Sequence, residues 1–331
     1  MASHRELARL VQDDHTGQVE AVENRLTRGI LGDRDDRFTT LTRRALTAWT
    51  TAFGSITAAA TPGPALRRLL ATVRAAVRRF LEGLGLRARR AVEDSLMDAV
   101  TLGARQAVEF VRLASGGRAG TPPARPSRKL RAAAGDIVDA VKVRLDGAVD
   151  LLRPDRVRHW PDLLNGIALA RRALPAVRSH VAWIIGRAVD EGIQAVTAVL
   201  SVGKLWVSES DACLRCAAYA GRTAPEDGTF PGGLSWDPRQ RHIGAPRIDS
   251  PPVHPHCRCR IVPWLDRWDP GFPNALAREA ERAVAYGRPA SESTAARLRA
   301  ARELLRTRSD LLPDVEARAR RAIRTRRFAA A

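Results

Sequence analysis

Between Ala65 and Leu84 apolar residues recur at three- and four-residue spacing, as Leu66, Leu69, Leu70, Val73, Val77, Phe80, Leu81 and Leu84. Arg67, Arg68, Arg74, Arg78 and Arg79 occupy the opposite side. This period predicts an amphipathic helix, and Pro64 suits its start. A second helix is predicted from about Val92 to Leu113. Helix resumes near Lys129, with Ile137, Val138, Val141, Leu145, Val149 and Leu152 on one side. Another runs from about Leu174 to Val202 on a face of Val177, Val181, Ile184, Ile185, Val189, Ile193 and Val196. Between these, Ser115 to Ser127 (SGGRAGTPPARPS) has no apolar period and reads as a linker. No repeat of fixed period is present.

The pattern changes at Lys204. From Trp206 to Pro270 the text is rich in Pro, Gly, Trp, Cys and His, with short strands expected at Lys204 to Ser208 and Arg258 to Val262. Helix returns at Asn274, with breaks at Tyr286-Gly287-Arg288-Pro289 and before Pro313. The expected fold is mainly α: a helical region over 1–114, a Gly/Pro linker over 115–128 and helices over 129–203. A small α+β Cys/His module follows over 204–270, then an Arg-rich helical tail over 271–331. A chain of 331 residues is long enough to bury a substantial core.

Charge adds a second feature. Fifty-five Lys and Arg against 36 Asp and Glu leave +19, and Lys occurs only at 129, 142 and 204. Such an excess points to a polyanionic neighbour, usually nucleic acid, although a GC-rich genome also inflates arginine. Residues 204–270 hold nine basic and eight acidic side chains, whereas 271–331 hold fourteen arginines and seven acids. The module is therefore nearly neutral and the positive charge belongs to the flanking helices. The terminal run Arg318, Arg320, Arg321, Arg324, Arg326 and Arg327 contains no acid and is the candidate contact for DNA or an acidic protein. Truncation at Arg318 is expected to leave the module folded. Ala45 to Leu66 carries no charge, but its threonines, Pro62 and Pro64 argue against a membrane span. The start, Met1 to Arg9, alternates charged and apolar residues without the apolar run of a signal peptide.

All four cysteines lie in one window, as Cys213, Cys216, Cys257 and Cys259. A disulfide scaffold would spread them; two close pairs point to metal in a reducing compartment. Cys213-Leu214-Arg215-Cys216 is a CxxC, a turn that brings two thiolates onto one ion. The second half is Pro251-Pro252-Val253-His254-Pro255-His256-Cys257-Arg258-Cys259, which offers two thiolates and two imidazoles within six positions. Zinc takes four tetrahedral ligands. The set is either all four cysteines, or Cys213, Cys216 and His254 with Cys257 or Cys259. Arg258 and Arg260 are placed to offset thiolate charge.

A catalytic zinc keeps an open position and a nearby acid or base. HExxH is absent, as is the HxE…PCxxC order of nucleobase deaminases, and no βαβ pattern marks the CxxC as redox-active. His242, His254 and His256 with Asp237 or Asp249 match no nuclease spacing. The site therefore reads as closed and structural, with no catalytic residue and no small-molecule substrate. The tryptophans around the module, Trp206, Trp236, Trp264 and Trp268, read as core rather than base-stacking platforms.

The strings WVSESDACLRC (Trp206 to Cys216) and PPVHPHCRCRI (Pro251 to Ile261), with Gly221 and Phe230 between them, resemble the phage Mu F-like head morphogenesis family. In that family a helical N-terminal part precedes a D-x-x-C-x-x-C, a Gly and P-P-x-H-P-x-C-R-C. Cys213, Cys216, Gly221, Pro251, Pro252, His254, Pro255, Cys257, Arg258 and Cys259 stand at those places, and Asp211 lies two residues before Cys213, one fewer than the pattern has. His256 stands where the family commonly has Asn, which adds a second candidate imidazole. The likeness covers roughly Arg178 to Trp264, about a quarter of the chain. It implies a minor head protein of a tailed phage, assembled in the bacterial cytoplasm and carried in the virion. Portal and major capsid protein would be its partners, packaged double-stranded DNA a further one, and zinc would hold the module. The rival reading is a zinc-dependent nuclease or other DNA-processing enzyme.

Overall fold

Prolines open several helices of this chain. Pro64, Pro161, Pro273 and Pro313 each sit in a first helical turn, where the missing N–H has no helical partner to lose. The computed structural model describes every residue except Met1, Arg118, Pro255, His256, Arg258 and 329–331. Its helices are α1 (His4–Arg9), α2 (His15–Leu31), α3 (Arg34–Phe53), α4 (Pro64–Leu81), α5 (Leu84–Ser115), α6 (Arg128–Ala133) and α7 (Asp136–Leu151). They continue as α8 (Trp160–Arg171), α9 (Ala173–Leu200), α10 (Leu214–Ala217), α11 (Phe272–Tyr286), α12 (Thr294–Thr307) and α13 (Pro313–Thr325). A π-helical turn, Leu10–Asp14, links the first two. The strands are β1 (Gly203–Val207), β2 (Thr223–Ala224) and β3 (Arg260–Trp264), in the order β2-β1-β3, with both pairings antiparallel. The protein is thus mainly α-helical, with one small sheet beside the Cys/His cluster.

Several elements depart from the sequence expectation. The helix placed at Val92 begins eight residues earlier, at Leu84, which the apolar period joins to the preceding helix; α4 ends at Leu81, and between Leu84 and Val92 only Ala88 adds a buried apolar side chain. The helix near Lys129 is two, α6 and α7, parted at Ala134-Gly135. Neither α8 nor the two-residue β2 was expected. The expected strand start at Arg258 lies outside the described residues, and β3 begins at Arg260. The uncharged stretch from Ala45 is divided by the end of α3 at Phe53 and the start of α4 at Pro64. Among the described residues no helix is long and apolar enough to cross a membrane.

By packing, the chain forms two units. The first comprises 1–20, 97–127 and 185–331; the second comprises 21–96 and 128–184. Three of the divisions fall within α2, α5 and α9, and the fourth falls just before α6.

In the second unit α3, α4, α7 and α8 pack together. Phe38 meets Phe80 edge-on with centroids 5.3 Å apart, and Trp49 meets Trp160 at 6.1 Å. The Arg34 guanidinium donates to the carbonyls of Ile30, Leu31 and Phe80, tying the start of α3 to the end of α4.

In the first unit the sheet has an apolar core on one face. Leu205 and Val207 of β1, paired to Val262 and Arg260 of β3, alternate with residues of the other face. Leu205, Val207, Val262 and Trp264 join Leu7, Val11, Phe110, Phe272 and Leu276 in one cluster. The opposite face carries Trp206, stacked on Tyr219 at 4.6 Å and met edge-on by Phe230 at 5.0 Å. A second core joins Leu214, Ala217 and Ala220 to Ala280 and Val284 of α11, Ala300 and Leu304 of α12, and Val315 and Ala319 of α13. The Arg-rich tail and the module therefore share one core, and truncation at Arg318 would open it, contrary to the expectation from sequence.

Candidate metal centre

The first cysteine pair is set by α10. Cys213 caps that short helix, its sulfur accepting from the Cys216 N–H at 3.5 Å, so both sulfurs point to one side of the turn. Leu214 and Ala217 turn the other way into the core. Gly221 has φ +75, and a Cβ there would meet the Pro273 carbonyl at 2.1 Å. Only glycine lets the chain turn this close to α11.

The second string is held from several sides. Lys204, buried in β1, donates from Nζ to the carbonyl of Gly228 at 2.6 Å and to that of Asp249 at 3.5 Å. Burial lowers its pKa. Gln194 of α9 donates to Ser250 at 3.1 Å, and Phe230 and Ile248 exchange backbone hydrogen bonds. The Pro251–Pro252 peptide is cis. The Cys257 N–H donates to the His254 carbonyl at 3.1 Å.

These constraints bring all five candidate ligands with described positions together. His254 Nε2 lies 2.9 Å from Cys213 Sγ and 3.1 Å from Cys216 Sγ, and Cys216 Sγ lies 3.4 Å from Cys257 Sγ. The donors form two overlapping triads, Cys213–Cys216–His254 and Cys216–Cys257–Cys259, each with its ligand atoms within 4.8 Å of one another. Cys216 belongs to both. Cys257 and Cys259 precede β3 and are buried. His256 and Arg258 lie outside the described residues. His242 is exposed and belongs to neither triad.

Four free sulfurs packed this closely cannot each keep an ordinary thiol equilibrium. Hydrogen bonding from Cys216, then from His254, draws Cys213 down to about 5. Cys216 is pushed well up by its bonds to Cys213, Cys257 and Cys259. Cys257 is pulled well down by Cys216 and Cys259. On Cys259 the pull of Cys216 is outweighed by Cys257 and burial, and the thiol is pushed up. Two of the thiols are thus drawn down and two pushed up by their neighbours. Metal binding takes thiolates and neutral imidazole and releases protons. The Cys/His group can hold a metal ion.

Arg260 follows the donors at the start of β3. Its guanidinium is buried and donates to Gln106 Oε1 at 3.2 Å and Thr16 Oγ1 at 2.9 Å. Gln106 in turn donates to the carbonyl of His15. Asp190 of α9 is buried nearby and accepts from the Ile261 backbone, and burial pushes its carboxyl well up against the opposing pull of Arg260. The sequence reading missed His15, Gln106 and Asp190. The one signal was a carboxylate inside the apolar face of α9, between Val189 and Ile193.

A cavity of about 490 Å³ opens beside the donors, lined also by Glu209, Asp211, Gln240 and Glu292. The loop before it is fixed to α12: Asp237 accepts two bonds from Arg299, at 2.8 and 2.6 Å, and Arg241 pairs with Glu303 at 2.7 Å. Trp206 and Trp264 are buried in the cores, while Trp236 and Trp268 pack partly buried against them.

Of the six terminal arginines, Arg318, Arg321 and Arg327 line one shallow cavity with Thr325. Arg318 also covers the Tyr286 ring at 4.9 Å, and Arg320 pairs with Glu316 at 2.7 Å. Arg324 and Arg326 are exposed.

No family model matches this chain, and no curated protein or solved structure matches it.

Proposed function

We propose that this chain is a minor head protein of a tailed phage, acting in head morphogenesis at or near the portal, with a structural zinc site. The observation that carries the reading is the convergence of Cys213, Cys216, His254, Cys257 and Cys259 from the two strings that resemble the head morphogenesis family. Soft thiolates with an imidazole suit zinc among the common metals. Zinc–sulfur bonds of about 2.3 Å keep tetrahedral sulfurs roughly 3.8 Å apart, close to the Cys216–Cys257 spacing. Zinc held here contributes folding energy to a loop-rich segment rather than reaction chemistry. The exposed arginines then face packaged DNA or acidic surfaces of portal and capsid protein.

Two measurements test the reading. Freshly prepared reduced protein should carry about one zinc per chain. Cys216→Ser, which removes the sulfur common to both triads, should abolish it, whereas His242→Ala should keep it. Mass spectrometry of particles purified from the producing strain should find the chain in heads; its absence from every head and procapsid fraction would reject the assignment. The acid-lined cavity beside the donors favours one rival, a zinc-dependent DNA-processing enzyme. Nicking of plasmid DNA with added zinc, magnesium or manganese, lost in Glu292→Gln, would establish that rival instead.

A further inference from the structure

The second unit carries an open groove of about 1150 Å³ along the antiparallel pair α3 and α4. Its depth comes from small side chains: Ala45, Ala48 and Ala52 on α3, and Ala65 and Ala76 on α4, leave a trough between the two backbones. Leu41, Leu69, Val73 and Phe80 add apolar lining, Thr40 and Thr72 add hydroxyls, and Asp33 and Asp36 stand with Arg37 at one end. Arginines rim it on both sides, Arg37 and Arg44 from α3 and Arg68 and Arg79 from α4. Arg37 is neutralised by Asp33 at 2.8 Å. Arg44, Arg68 and Arg79 have no acidic partner among the described residues.

We infer that this groove docks an acidic amphipathic α-helix of a partner protein. Length, shape and charge agree on that occupant. From Arg37 to Ala52 the groove runs about 22 Å, the span of roughly four helical turns. A trough floored by alanines between two parallel ridges admits a third helix, whose large apolar side chains would fill the space that alanine leaves. Carboxylates flanking that apolar stripe would meet the three unpaired guanidiniums, whose planar donors suit carboxylate. A second copy of this chain is a poor occupant, since its +19 charge repels another of its kind. DNA is also poor, because an apolar floor offers phosphate no donors and would be left uncovered. The groove is separate from the metal donors in sequence, and the inference does not depend on the phage assignment.

The test uses full-length protein and a labelled synthetic peptide of about fifteen residues. It carries leucines on one helical face and glutamates on its flanks. Controls are the scrambled sequence and the version with every Glu changed to Lys. By fluorescence anisotropy the acidic helix should bind about tenfold or more tighter than either control. Ala48→Phe and Ala52→Phe fill the floor at exposed positions and leave every charge in place; each should weaken binding about fivefold or more. The triple variant Arg44→Glu, Arg68→Glu, Arg79→Glu should reverse the preference toward the Lys peptide. Circular dichroism checks that each variant keeps its helix, and the two Phe variants serve as alternates for each other. Equal binding of the scrambled peptide overturns the inference. So does sensitivity to the arginines with indifference to both Phe variants, or displacement of the peptide by a short DNA duplex with the Phe variants unaffected; either marks a general anion-binding surface.

Discussion

Burial holds the His15 imidazole at about 4, below its ordinary 6.5; Arg260 adds to the effect, while the hydrogen bond to Glu109 opposes it. A base depressed by folding is neutral in the native state over a range where the unfolded chain already binds a proton. The stability it confers is complete above pH 6.5 and is lost as pH falls from there to about 4. The full swing corresponds to about 3 kcal/mol. Urea unfolding of wild type between pH 7.5 and 4 should therefore steepen in this window, and His15→Gln should flatten that part of the curve. Parallel curves for the two proteins would show that His15 is not the titrating group. Such residues were hidden in the sequence, whereas the metal donors were not. Cys213, Cys216, His254, Cys257 and Cys259 stand out because cysteine and histidine crowded into two short strings have few other uses. His15, Gln106 and Asp190 are single polar residues on helices, and their pairing with Arg260 depends on tertiary packing that no local spacing records.

At the scale of elements, α5 and α9 cross through a reciprocal pair of glycines. A Cβ on Gly103 would lie 1.9 Å from the Val189 carbonyl oxygen, and one on Gly192 would lie 1.9 Å from that of Val100. The two backbones thus touch where each helix lacks a side chain. Alanine favours helix over glycine by about 1 kcal/mol, so on propensity alone either replacement would stabilise. Overpacking of a tight interior typically costs about 1–3 kcal/mol, and here the obstacle is backbone that cannot rotate away. Gly103→Ala and Gly192→Ala should each lower the thermal midpoint, and an increase in either would refute the crossing. The apolar period marks α4 and α9 because leucine, valine and isoleucine carry their faces, whereas α11–α13, whose buried faces are rich in alanine, are marked off by the breaks at Gly287 and Pro313. The first two turns of α5 bury only the side chains of Leu84 and Ala88 and so carry little period, and the two-residue break between α6 and α7 hardly disturbs the spacing of apolar residues. The two-residue β2 carries no pattern at all; it exists because β1 offers an edge at Lys204 and Leu205.

At the scale of the whole molecule, charge and core organisation divide. The net +19 was visible in the composition, whereas the shared core of module and tail was not, because Val315 and Ala319 read simply as one face of another basic helix. Deleting the tail is consequently a poor probe of its arginines. Reversing Arg321, Arg324 and Arg327 to Glu at exposed positions leaves Val315 and Ala319 in place. If those arginines meet DNA phosphates, filter binding should be independent of sequence and fall steeply with salt, with a shallower salt slope in the triple variant. A flat salt response in the wild type would direct them to acidic protein surfaces instead.

The first unit is drawn from three separated stretches of chain, 1–20, 97–127 and 185–331, and this sets an order for biosynthesis. A ribosome reading from the N-terminus has made every residue of the second unit by Ile184, when the first still lacks its sheet and both of its metal-binding strings. Leu7, Val11 and Phe110 must then wait, without their partners Leu205, Trp264 and Phe272, until more than half the chain has emerged. During that interval the nascent polypeptide presents an apolar surface that its own later residues will cover, a surface open to chaperone capture while translation continues.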